Sequence, residues 1–134
     1  MCSSDLAYAP HLRKDPLPGV SAKTVLIVMS KGDETVPNPF TTAMIRAGDL
    51  ADRTVFYRND LAFAEDSRIA KNPHLFPTQI ESSVPLAREI AFGVQDMIAT
   101  FLNSEGTVLI DPSVARFFEF PIAGELPEEL NYIA

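Results

Sequence analysis

The chain has 134 residues, 46% hydrophobic and 22% charged, with a net charge of −7. This length and balance fit one globular domain with a single core and exclude a disordered chain. The acids are scattered and no basic tract opposes them, so the acidity reads as solubility, and nucleic acid and anionic membranes are not expected partners.

Cys2 is the only cysteine, so it has no internal disulfide partner and no second thiol for a metal site. Its place beside the start points to a frayed terminus rather than to chemistry. Met1-Cys2-Ser3-Ser4-Asp5 lacks the basic and apolar regions of a signal peptide. No run approaches the ~20 apolar residues of a membrane span. The sequence thus carries no visible address, the compartment stays open, and any export signal is expected upstream.

Residues 1–22, with Pro10, Pro16, Pro18 and Gly19, show no sustained period and read as an extended lead-in. Lys23 to Ser30 reads as a strand. Its centre, Val25-Leu26-Ile27-Val28-Met29, is apolar at consecutive positions, which predicts burial on both faces, as inside a parallel sheet. A buried helix is the rival reading, opposed by the β-branched content and the break at Gly32. Asn38-Pro39 predicts a helix start, with Asn38 as the cap and Pro39 in the first helical position. Phe40, Ala43, Met44 and Ala47 keep helical spacing, and Gly48 supplies a left-handed stop. Thr54-Val55-Phe56-Tyr57 reads as a second strand ending at Arg58-Asn59-Asp60. Strand, helix and strand in this order predict a βαβ unit with parallel strands.

Leu61 to Ile80 reads as a long irregular connection containing Pro73, His74 and Pro77, and loops of that length are usually functional or disordered. The longest helix is predicted from about Val84 to Leu102, capped by Ser83. Leu86, Ile90, Val94, Met97 and Phe101 form its apolar stripe, opposite Arg88, Glu89, Gln95 and Asp96. This pattern suits core packing, and the polar face lacks the positive charge of a membrane-surface helix. After Ser104-Glu105-Gly106, a short apolar segment from Thr107 to Ile110 leads into a tail with Phe117, Phe118 and Phe120. The tail reads as an arm docked on something apolar, most simply its own domain. The expected layout is a lead-in over 1–22, a βαβα portion over 23–106 and a C-terminal arm over 107–134. A strand buried on both faces needs neighbours that two strands and two helices do not supply, so the sequence reads as one edge of a larger α/β sheet.

Two residues stand out for chemistry. Asp33 directly follows the carboxyl end of the first strand, where open α/β sheets place functional groups; alternatively it only shapes a turn. Glu34 and Asp60 are lesser rivals. His74 follows the last strand in a loop, where a histidine can take and return a proton near neutral pH, or simply sit at the surface. His11 is its only competitor. An acid after a buried strand, followed by a histidine in a later loop, matches two members of a nucleophile–acid–histidine triad.

Gly32-Asp33-Glu34-Thr35-Val36-Pro37 resembles the D-x-x-V-P element after the acid-bearing strand of α/β-hydrolases, and Asn72-Pro73-His74 before a long helix resembles that fold's histidine loop. The chain also resembles the C-terminal part of large bacterial hydrolase or lipase-like proteins. This likeness runs through Ala7-Tyr8-Ala9-Pro10-His11-Leu12-Arg13, Asp33 to Pro39, Tyr57 to Asp60, Ile98-Ala99-Thr100-Phe101 and Pro127-Glu128-Glu129-Leu130. The resemblance implies a partial α/β-hydrolase fold, Asp33 as the acid and His74 as the general base. It also implies hydrolysis of a small ester-type substrate through a serine nucleophile, and no cofactor. One departure is severe: no G-x-S-x-G occurs, and neither Ser30 nor Ser67 sits on a strand-to-helix elbow. The oxyanion-hole amides of that fold also belong to a part not seen here. The expectation is therefore a fragment that is inactive alone, whose partner is the missing N-terminal hydrolase segment or a covering protein. A non-catalytic flavodoxin-like module binding a partner or small ligand around Asp33 and Asp60 is the alternative. A metal site from Asp33, Asp60 and His74 is a third reading, without compact ligand spacing to support it.

Overall fold

The apolar run after Lys23 becomes strand β1, Ile27–Ser30, shorter than predicted because regular pairing begins only at Ile27. The computed structural model describes residues 3–122 and 124–134, so the expectation for Cys2 lies outside the described residues. Strand β2, Thr54–Tyr57, pairs parallel to β1 in the register Ile27 to Thr54 through Ser30 to Tyr57. Helix α2, Asn38–Gly48, is the crossover between them. A third strand, β3, Phe118–Glu119, joins antiparallel on the far side of β2. The sheet is three-stranded in the order β1-β2-β3, and the class is mixed α/β.

Position in the sheet decides burial. The central strand β2 is buried at every residue, whereas Ile27 and Val28 of the edge strand β1 are only half-buried. One core cluster joins Val55 and Tyr57 to Ile90, Val94 and Met97 of the long helix α4, Pro85–Asn103. A second, on the opposite face, joins Met29 and Phe56 to Ile45 and Leu50. The predicted apolar stripe of α4 is its buried face: Leu86, Ile90, Val94, Met97 and Phe101 are all buried. Phe117 belongs to the first cluster, and Phe118 and Phe120 pack against it, so the aromatic tail docks on its own domain.

Several local expectations are corrected. The lead-in is not extended throughout: Ser3–Leu12 is helix α1, with Pro10 inside its last turn. Helix α1 packs on α2, and Ala9 is buried. Its carbonyl oxygen lies 2.9 Å from where a Cβ on Gly48 would stand. Gly48 therefore serves close helix packing, and the left-handed stop falls on Asp49, at φ 54°. The long connection is also less irregular than predicted. It starts with helix α3, Asn59–Glu65, and ends in a 3-10 turn, Phe76–Glu81, that packs on α4. Neither predicted side-chain cap forms. Ser83 leaves the α4 start to Val84, whose N–H is held by Ser82 Oγ at 3.2 Å, with Pro85 in the first turn. Asn38 lies inside α2, and Pro37 takes the cap position.

The C-terminal arm runs back across the loops at the carboxyl ends of the parallel strands. The Asn131 carbonyl would stand 2.5 Å from a Cβ on Gly32, and Lys71 Nζ donates to the Ala134 carbonyl. Glu128 pairs with Arg46 of α2.

Candidate functional site

At the carboxyl end of β1, Lys31 N–H still donates to Tyr57 O at 2.8 Å, and the chain then turns through Gly32 at φ +80°. That left-handed backbone is costly for any residue with a Cβ. Asn38 fixes this turn from the first turn of α2: its Nδ2 donates to Ser30 O at 2.7 Å, and its Oδ1 accepts Gly32 N–H at 3.1 Å. A local cap is thus exchanged for two buried bonds across the crossover.

Asp33 follows and is 8% exposed. Its Oδ1 accepts the N–H groups of Thr35 and Val36, both at 2.8 Å. These bonds form the turn expected of Asp at this position. They also hold the carboxylate still, with Oδ2 directed at His74 Nδ1 at 3.0 Å. The two readings of Asp33 therefore combine, because one oxygen shapes the turn and the other meets the histidine. The His74 loop is tied to the same turn by Asn72, whose Oδ1 accepts Glu34 N–H at 3.3 Å and His74 N–H at 3.1 Å. Asn59 Nδ2 anchors the earlier part of that loop at Ala70 O and Lys71 O.

An ionised carboxylate can only accept, so the ring nitrogen facing Asp33 Oδ2 is the donor, and the neutral imidazole carries its proton on Nδ1. The Nε2 lone pair is then available, and no hydrogen bond engages it among the described residues. The His74 side chain is 36% exposed, against 12% for Asp33, so the pair has a sheltered acid and an accessible base. Beside it lies a cavity of about 220 Å³ lined by Ser30, Asp33, Val36, Thr41, His74, Phe76 and neighbouring apolar groups. Ser30 and Thr41 bring hydroxyls to its wall, but no hydrogen bond joins either to His74 among the described residues.

The other sequence candidates lie elsewhere. His11 Nδ1 contacts the Asp15 carbonyl at the end of α1. Glu34 is exposed and contributes its backbone N–H to Asn72. Asp60 belongs to a charge network, bonded to Lys31 Nζ at 2.9 Å and to Arg58 at 2.8–2.9 Å, while Arg58 also reaches Glu119 on β3. Burial pushes the Asp60 carboxyl up, but bonds and charge from Arg58 and Lys31 outweigh it and hold the group at about 2. The Asp60 carboxylate in turn raises the Arg58 guanidinium. With Asp60 so committed, it does not join Asp33 and His74 around a metal. Among the described residues no group of three His, Cys, Asp or Glu side chains could hold one.

Asn38 and Asn72 are the positioning residues that sequence reasoning missed. The available signal for Asn72 was its place two residues before His74 in Asn-Pro-His, a pattern in which Asn can accept a nearby backbone N–H. Comparison with protein-family models, with curated proteins and with solved structures finds no match. Among the described residues no helix is long and apolar enough to cross a membrane.

Proposed function

We propose that this chain supplies the acid, Asp33, and the general base, His74, of a serine-hydrolase centre acting on small esters. The nucleophile and the oxyanion-hole amides would come from a polypeptide segment carrying G-x-S-x-G. What carries the reading is the 3.0 Å contact between Asp33 Oδ2 and His74 Nδ1 beside an open cavity, with the carboxylate braced by the Thr35 and Val36 amides. In the proposed cycle His74 Nε2 takes the proton of the attacking hydroxyl as its oxygen bonds the ester carbon. The imidazolium, stabilised by Asp33, then returns that proton to the departing alcohol as the ester C–O bond breaks. Water completes the cycle by the same proton transfers, releasing the acid and restoring the nucleophile's hydroxyl. The resemblance of Asp33 to Pro37 and of Asn72 to His74 to the hydrolase elements supports the same assignment.

The test is complementation. The 134-residue chain alone is expected to give only background turnover of a nitrophenyl ester. Co-expression with a segment carrying G-x-S-x-G is expected to restore turnover and fluorophosphonate labelling, and His74→Ala is expected to abolish the turnover while the labelled segment stays intact. Turnover by the chain alone that disappears in His74→Ala would overturn the reading, because the nucleophile would then lie within it. Ser30→Ala identifies that case.

A further inference from the structure

The outer edge of β1 carries open backbone groups. Successive residues of a strand face alternate sides, and in a parallel pair the N–H and C=O of one residue face the same neighbour. Lys31 N–H donates to Tyr57 O, so Lys31, Met29 and Ile27 face β2, whereas Val28 and Ser30 face away. Ser30 O agrees, because it accepts Asn38 Nδ2 instead of a strand partner. Among the described residues no hydrogen bond engages Val28 N–H, Val28 O or Ser30 N–H. Sheet edges are usually guarded by charge, proline or a bulge. At the opposite edge, β3 is only two residues long and carries the Arg58–Glu119 ion pair. The run Ile27-Val28-Met29 has no such guard.

The space beside this edge has the position of a further strand. Leu26 and Val28 pack on the cluster that includes Ile90 of α4, and Val25 and Ile27 on the cluster that includes Ile45 of α2. The cavity beside His74 reaches both layers, touching Phe76 of the first cluster and Thr41 of α2. Walls from both layers meet around β1 only past its end or along its outer side, because β2 fills the inner side. Val28, which also lines the cavity, is two residues below the end of the strand and places it on the outer side.

We propose that β1 is completed by a parallel β-strand, apolar on both faces, from a polypeptide segment outside these 134 residues. In parallel pairing the incoming residue opposite Met29 donates its N–H to Val28 O, and its C=O accepts Ser30 N–H. The C=O of the residue opposite Ile27 accepts Val28 N–H. All three open groups are then used, and Ser30 O stays with Asn38. Antiparallel pairing would instead bring an N–H against Ser30 O, where Asn38 Nδ2 already sits at 2.7 Å. Two copies joined about a two-fold axis would pair β1 antiparallel, and each copy carries −7, so both geometry and charge favour a different partner. Apolar side chains are needed on both faces because the strand enters between the same two layers. The Asn38 cap ends the pairing at Ser30, so the residues after the new strand emerge beside the cavity that His74 lines. The pairing rests on the backbone of β1 and holds whether or not the hydrolase reading does.

The test mixes the isotope-labelled full chain with the acetylated, amidated heptapeptide Lys-Val-Ile-Val-Val-Ile-Lys. Amide exchange and paramagnetic broadening are followed by NMR. Exchange at Val28 and Ser30 is expected to slow at least about tenfold with the peptide bound, while Met29, already paired with β2, changes little. A nitroxide at the C-terminal end of the peptide is expected to broaden His74 and to spare Thr24, at the other end of β1. The same peptide N-methylated at its five central residues keeps its side chains, loses its donors and is expected to give no protection. Val28→Pro removes an outward N–H without breaking a β1–β2 bond, and is expected to weaken binding about tenfold. Broadening at Thr24 in place of His74, equal protection by the methylated peptide, or no protection at ~1 mM peptide contradicts the proposal. So does protection of Val28 and Ser30 that grows with the concentration of the chain alone. Failure of the hydrolase reading shows separately, as absent turnover in the complementation assay with Val28 and Ser30 still protected by the peptide.

Discussion

Asp33→Asn separates the two tasks of the acid. In the native turn Oδ1 accepts from Thr35 and Val36 at 2.8 Å while Oδ2 faces His74 Nδ1 at 3.0 Å. An asparagine can serve those two N–H groups only through its oxygen, so its NH2 must turn toward His74. His74 Nδ1 then has to accept, and the ring proton moves to Nε2. The cost in stability is modest. Two bonds pass from a charged acceptor, about 1.5–3 kcal/mol each, to a neutral one, about 0.5–1.5, for a loss of about 2–3 kcal/mol. Asp33→Ala removes both bonds and is expected to lose about 3–6 kcal/mol by the same values. Denaturant midpoints at unchanged slope measure the stabilities, and nitrogen–proton correlations of the imidazole report the tautomer. The expected spectra show the proton on Nδ1 in the native chain and on Nε2 in Asp33→Asn. The same tautomer in both proteins would refute the reasoning, even if the stabilities came out as stated.

The Asp60 network predicts a pH dependence. Asp60 ordinarily titrates at 3.8 and is held at about 2 in the fold, so its contribution is present above 3.8 and lost as pH falls through about 2. After screening of a side chain 30% exposed, that contribution is about 1 kcal/mol. Asp60→Asn is therefore expected to be less stable than the native chain by about that amount at pH 6, with the gap closing by pH 2 in urea melts; a gap independent of pH contradicts the assignment. Gly32→Ala combines a left-handed backbone, about 1–2 kcal/mol, with a Cβ placed 2.5 Å from the Asn131 carbonyl. It is expected to lower stability and to speed amide exchange in residues 129–134. Unchanged exchange there would mean that the arm does not rest on this turn.

What could be read from the sequence was whatever depends on period and short spacing. The parallel pairing of β1 and β2 followed from the βαβ order, and the buried face of α4 from its apolar stripe. Asp33 and His74 were singled out by their short motifs, and the fold brings them within hydrogen-bond distance. Asn38 shows where local rules end. It carries a strong capping signal, yet Ser30 O and Gly32 N–H, both buried, claim its side chain and draw it into the helix. Asn72 could not be assigned from spacing alone because one of its partners, Glu34, is brought near only when the two loops meet. Helix α1 contains Pro10 and follows no clear apolar period, and its partner surface on α2 is a tertiary fact. A strand as short as β3 is set by pairing with β2 rather than by any pattern of its own.

The path of the C-terminal arm means that acid and base share one brace. Asn131 rests on the turn that delivers Asp33, and Ala134 receives Lys71 at the base of the loop that delivers His74. A change within either loop loosens one member of the pair, whereas a single cut before Asn131 gives slack to both. Cleavage within residues 129–134 therefore acts on the alignment of two groups that lie sixty to a hundred residues earlier in the chain.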